Sequence, residues 1–117
     1  MLKFYGYKKC GTCRKAEKAL DSAKIEYQFI DITEIPPSAA ALKKIIKQSN
    51  VDIKKFFNTS GVQYRELNIK DKLPTLSDKD IIQMLAENGR LIKRPIVTDG
   101  EKSTVGYKEE EFTNTWC

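Results

Sequence analysis

LKFYGYKKCGTCRKAEKALDSAKIEYQFIDI, residues 2–32, decides the fold. Residues 2–7 alternate and are rich in aromatic and aliphatic side chains, the pattern of a strand. From Gly11 the pattern changes. Ala16, Ala19, Leu20 and Ala23 recur at helical spacing, which predicts a helix running to about residue 24. Residues 26–32 return to the two-residue period, with Tyr27 and Phe29 on one face and Gln28, Ile30 and Ile32 on the other. A strand, a helix and a strand within about 30 residues make a βαβ unit. Cys10 and Cys13 stand where its first strand passes into its helix.

Downstream, Pro36-Pro37 interrupts the chain and Ser38 is placed to cap a helix whose apolar stripe is Leu42, Ile45 and Ile46. A short helix is expected near residues 52–58, ending by Gly61, and a further turn at residues 64–67. Ser77 with Asp80 three positions on is a capping-box pattern, and that helix is expected to stop at Gly89. Residues 95–98 and 103–107 bracket Asp99-Gly100 as a β-hairpin. Glu109, Glu110 and Glu111 then suit the N-terminal end of a last helix, with Phe112 and Trp116 on its buried side. The order is βα, β, several helices, then ββα. No repeat, linker or low-complexity stretch divides residues 1–117, so one domain is expected.

Composition narrows the chemistry. Of 117 residues, 40% are hydrophobic and 32% charged, ordinary values for a soluble globular chain. No apolar run approaches the roughly 20 residues that span a bilayer, and the N-terminus is too short in apolar residues for a signal peptide. A cytoplasmic protein without a membrane partner is expected. The net charge of +5 comes from 21 Lys and Arg interleaved with 16 acids. Its clusters are pairs, so a solvated surface is favoured over a direct nucleic-acid footprint. Histidine is absent, which removes His-assisted hydrolysis and every His-ligated metal site. Zinc would need a second thiol pair, and only Cys117 remains, so no metal is expected.

The C-x-x-C pair therefore carries the chemistry. A thiolate of Cys10 at a helix start faces unpaired backbone N–H groups and the positive end of the helix dipole. Lys8, Lys9, Arg14 and Lys15 add charge nearby in sequence. Such a setting lowers a thiol pKa and enlarges its nucleophilic fraction. Cys13, one turn on, can reach the same sulfur and resolve a mixed disulfide. The competing reading is two inert buried thiols, against which the polar surroundings of Cys10 argue. Arg94-Pro95 is the second candidate feature. In a thioredoxin-like arrangement a loop ending in proline faces the cysteine-bearing helix, and Arg94 there could stabilise the thiolate or hold an oxyanion. On sequence alone an ordinary proline beside a solvated arginine serves as well. Cys117 reads as an incidental terminal thiol.

Cys-Gly-Thr-Cys-Arg-Lys-Ala at 10–16, Tyr-Arg-Glu-Leu-Asn at 64–68, Leu-Ser-Asp at 76–78 and Arg-Leu-Ile-Lys-Arg-Pro-Ile-Val at 90–97 resemble the ArsC family over nearly the whole chain. That family holds glutaredoxin-dependent arsenate reductases, the regulator Spx and relatives of the YffB type. The resemblance implies an α/β, thioredoxin-like (glutaredoxin-like) core: a small mixed sheet of about four strands, with a helical insertion at about residues 38–91 between the βαβ and ββα halves. It implies a catalytic Cys10 resolved by Cys13 through a redox-active disulfide, Arg94 as the anion-binding arginine, and Gly11, Thr12, Arg14 and Pro95 around the thiolate. It implies no bound cofactor. The electron donor would be glutathione, another low-molecular-weight thiol, or thioredoxin or glutaredoxin. Two further arginines that clamp arsenate in the family fall here on Asn58 and Tyr107. A lone Arg94 would neutralise a tetrahedral oxyanion poorly, so thiol–disulfide exchange is expected over arsenate reduction. The likeness to Spx, at Val105-Gly106-Tyr107 and in the C-x-x-C itself, adds the RNA polymerase α-subunit as an expected partner. Asp52, however, falls where Spx has a glycine in that contact, and Spx continues past its last helix. A monomer is expected.

Overall fold

In the computed structural model, which describes residues 2–117, the first strand β1 (Leu2–Gly6) is the axis of the molecule. It pairs in parallel with β2 (Tyr27–Asp31) on one side and antiparallel with β3 (Ile96–Thr98) on the other. A fourth strand, β4 (Ser103–Val105), pairs antiparallel with β3, giving the order β2-β1-β3-β4. The sheet is mixed and four-stranded, with helices on both faces: an α/β, thioredoxin-like architecture.

Both faces are apolar because the strands are covered twice. Leu2 and Phe4 of β1 and Val97 of β3 point to one side. There they pack with Cys13, Ala16 and Leu20 of α1 (Gly11–Ser22) and with Phe112 and Trp116 of α6 (Glu109–Trp116). Tyr5 and Ile96 point to the other side and join Ile32. The helices between β2 and β3 cover them: α2 (Ala39–Ser49), α3 (Val62–Glu66), α4 (Ile69–Lys72) and α5 (Asp78–Glu87). Leu42, Ile45, Ile69, Ile81 and Leu85 are their buried residues on this face. Three 3₁₀ turns, Ile53–Phe56, Leu73–Thr75 and Gly89–Leu91, link these helices and return the chain to the sheet.

The caps follow the sequence signals. Ser38 Oγ accepts from the Ala41 N–H, and Ser77 and Asp80 bond reciprocally as a capping box. Three details differ from expectation. Helix α4 carries no periodic signal of its own in four residues; its start is set by Asn68 in the left-handed region at φ 51°. The hairpin turn spans four residues rather than two, because Asp99 Oδ1 accepts from both the Glu101 and Lys102 N–H groups. Gly89 is not the stop of α5, which ends at Asn88 in an extended conformation. A Cβ at Gly89 would collide with the carbonyl of Ile32, so this glycine exists for close backbone approach at the edge of the sheet. Gly89→Ala should cost about 3 kcal/mol, a fall in Tm of roughly 10–20 °C for a chain of this size, measurable by thermal denaturation.

Candidate active site

Cys10 is the N-cap residue of α1, with φ −85° and ψ 120° and no side-chain cap of its own. Its N–H donates to the Tyr7 carbonyl at 3.0 Å and its carbonyl accepts from the Arg14 N–H at 3.1 Å. The turn between β1 and α1 is thereby fixed by backbone bonds, leaving the Cys10 sulfur half-buried at the helix start. Cys13 is 0% exposed, inside the cluster formed by Phe4 and α1. The strand ends beside it in a glycine: a Cβ on Gly6 would stand 2.5 Å from the Phe4 ring and 3.2 Å from the Cys13 sulfur.

The two thiols are separated electrostatically. Burial raises the pKa of Cys10, but more is contributed in the opposite direction by the backbone N–H and thiol of Cys13 and by the Arg94 guanidinium, within hydrogen-bonding reach of its sulfur. Cys10 ends below the ordinary thiol value. Cys13 is pushed up to about 12, first by burial, which the Tyr7 backbone N–H opposes, and further by Cys10 beside it, with Arg94 pulling slightly the other way. Cys10 is thus the more acidic thiol of the two and Cys13 the less acidic.

The peptide bond from Arg94 to the buried Pro95 is cis, and the Arg94 guanidinium lies 5.1 Å from the ring centroid of Tyr7. Arg94, Cys10 and Thr12 line one open cleft of about 1000 Å³ together with Asn58. The other predicted residues lie outside it. Gly11 is exposed with open space about its Cα. Arg14 donates its Nε to the Lys8 carbonyl at 3.0 Å, and Lys8 pairs with Glu17 at 3.2 Å and lies over Phe29. Closeness in sequence therefore misassigned the positive charge beside Cys10: it comes from Arg94. Tyr107 is turned away, its ring 5.1 Å from that of Phe112. Cys117 is exposed, with its sulfur 3.8 Å from the Ala19 carbonyl two turns along α1.

Sequence reading missed the far wall of the cleft. Lys54, Lys55, Arg90 and Lys93 face it, and the one carboxylate among its lining residues is Glu66. The wall is assembled by a bridge between Phe57 and Ile92 and by backbone bonds from Lys93 N–H to Phe56 and from Asn58 N–H to Leu91, both 2.7 Å. No local periodicity announces it.

The profile of the ArsC family matches residues 5–115. The chain is 54% identical to YusI of Bacillus subtilis, over 99% of this chain and 98% of YusI. It resembles a crystal structure from Streptococcus mutans described as a possible arsenate reductase. That similarity has 44% identity and a TM-score of 0.87, covering 95% of this chain and 96% of that one. It is also 30% identical to the global transcriptional regulator Spx of Enterococcus faecalis, over 96% of this chain and 83% of the regulator.

Proposed function

The chain belongs to the ArsC family, and from that premise we propose that it is a thiol–disulfide oxidoreductase in which Cys10 attacks and Cys13 resolves. The observation that carries this reading is the asymmetry of the pair: a half-exposed, low-pKa thiol at a helix N-terminus above a fully buried, high-pKa one. The Cys10 thiolate attacks one sulfur of a substrate disulfide, forming a mixed disulfide as the other sulfur leaves as a thiolate. Cys13 then gives up its proton and attacks the Cys10 sulfur. The second substrate thiolate departs, and two electrons have passed from the pair to the substrate. Burial is the larger cause of the raised Cys13 pKa, but consuming the Cys10 thiolate removes the negative charge that adds to it, so resolution becomes easier after the first step than before it. A dithiol such as thioredoxin or glutaredoxin, or a low-molecular-weight thiol such as glutathione, returns the electrons.

Arsenate is a poor fit to this reading. Of the three positions where the family's arsenate reductases place arginine, Asn58 brings an uncharged amide to the cleft, and Tyr107 packs elsewhere. Purified protein supplied with a dithiol reductant should turn over a model disulfide and leave arsenate untouched; arsenate turnover dependent on Arg94 would reverse the assignment.

The likeness to Spx supports a second reading, a redox sensor whose output is binding to the RNA polymerase α-subunit. Asp52, where Spx has a glycine, is exposed and accepts from the Lys54 N–H at 2.8 Å. Capture of polymerase by the protein in one redox state alone would favour this reading.

A further inference from the structure

The five cations of the cleft are more than a chain with 21 basic and 16 acidic residues needs to place side by side. Lys54, Lys55, Arg90, Lys93 and Arg94 share it with the single carboxylate of Glu66. Among the described residues the one ion pair is Lys8–Glu17, so none of the five pairs with a carboxylate within 4 Å; Arg94 faces the Cys10 sulfur, and Arg90 is near enough to Asp31 to help lower the Asp31 pKa. Converging like charges repel, and the arrangement is stabilised when an anion occupies the space between them.

The shape says what kind of anion. A second hollow of about 230 Å³ lies beside the cleft, and Lys55 and Lys93 line both. Gly106, at φ 77°, leaves room for the Lys93 stem to cross between them; a Cβ there would stand 3.0 Å from Lys93 Cε. The hollow adds Lys108 but also the carboxylates of Asp52 and Glu111, so the positive surface is concentrated in the cleft itself, from Cys10 and Arg94 across to Lys54, Lys55, Arg90 and Lys93. A small oxyanion would occupy the Arg94 end and leave the rest of this run empty. Val62, 59% exposed on the cleft wall, adds an apolar contact suited to a side chain. Among the described residues lining the cleft the one aromatic is Phe57, which is fully buried and offers no face on which bases could stack.

We propose that the cleft at Cys10, with Lys93 at its far end, is a basic track that receives an acidic polypeptide segment bearing the oxidised cysteine. This deepens the thiol–disulfide reading and rests on it for the chemistry, while the recognition can be measured separately. Carboxylates of the segment sit among Lys55, Lys93 and Arg90, and its disulfide is delivered to the Cys10 sulfur.

Three peptides of one core sequence, each with a single cysteine capped by 2-thiopyridine and flanked by Glu, Gln or Lys, test this by the rate of thiopyridone release. At low salt the Glu peptide should react about tenfold or more faster than the Gln peptide, and the Lys peptide slowest. Near 1 M salt the three rates should converge. In the double variant Lys55→Glu/Lys93→Glu the ratio of Glu to Gln peptide should fall to one or below. A cysteine-free fluorescent Glu peptide should bind by anisotropy, lose binding with salt and outcompete a single-stranded oligonucleotide. Equal rates for the three peptides, or a preference unchanged in the double variant, would overturn the proposal while leaving the oxidoreductase intact. Tighter binding of the oligonucleotide would overturn it in favour of nucleic acid. If no peptide is reduced, the oxidoreductase reading fails and the binding measurement alone decides the track.

Discussion

Cys10→Ser is expected to reduce disulfide turnover to the uncatalysed rate, whereas Cys13→Ser should stall after one covalent step with the substrate held on Cys10. The difference follows from where the two sulfurs sit. Cys10 is the half-exposed cleft thiol, so its loss removes the nucleophile, and a serine hydroxyl at the same helix start is far too weakly acidic to replace it. Cys13 is 0% exposed and cannot meet an external disulfide; it acts only on the neighbouring Cys10 sulfur. Mass spectrometry of Cys13→Ser after exposure to a substrate disulfide should therefore show a stoichiometric adduct on Cys10, released by added dithiol. Turnover surviving Cys10→Ser, or an adduct found on Cys117, would contradict this division of labour.

Arg94→Gln is the second large effect. The guanidinium is the cationic side chain that lowers the Cys10 pKa, so its loss should move the pH midpoint of Cys10 alkylation upward and slow alkylation at neutral pH on the order of tenfold. The sign carries into two equilibria. A depressed folded-state pKa stabilises the fold at pH above the ordinary thiol range. That contribution is lost as pH falls through the depressed Cys10 pKa, and Arg94→Gln should shrink it. The thiolate also exists only in the reduced protein, so whatever stabilises it makes the pair more oxidising. Removing Arg94 should therefore shift the Cys10–Cys13 potential to a more negative value. Partial unfolding cannot imitate this combination, because it would expose Cys13 as well and add a third reacting thiol to Cys10 and the exposed Cys117.

The residues that were legible in the sequence are those whose signals are local. The C-x-x-C between a strand and a helix and the capping box at Ser77 and Asp80 are each specified within a few positions and form as read; the hairpin around Gly100 forms too, with a longer turn. What stayed illegible depends on pairings across the chain. The basic wall exists because residue 57 meets residue 92, and Gly6 matters because Cys13 comes to lie against the end of β1. Gly89 shows how one residue type can carry two meanings. Its place after a helix suggested a helix stop, whereas its missing Cβ makes room for the Ile32 carbonyl. Arg14 and Lys8 mislead for a related reason. Being near Cys10 in sequence, they find closer partners in a backbone carbonyl and in Glu17, and a residue 84 positions away supplies the charge.

Mass mapping after stoichiometric oxidation tests the central claim most directly. Reduced protein mixed with one equivalent of a model disulfide should lose the mass of two hydrogen atoms. Peptide mapping should place the new bond between Cys10 and Cys13, leave Cys117 as a free thiol, and show full reversal by a dithiol. A protein that keeps all three thiols reduced, or that oxidises only through Cys117 into a disulfide-linked dimer, would contradict it.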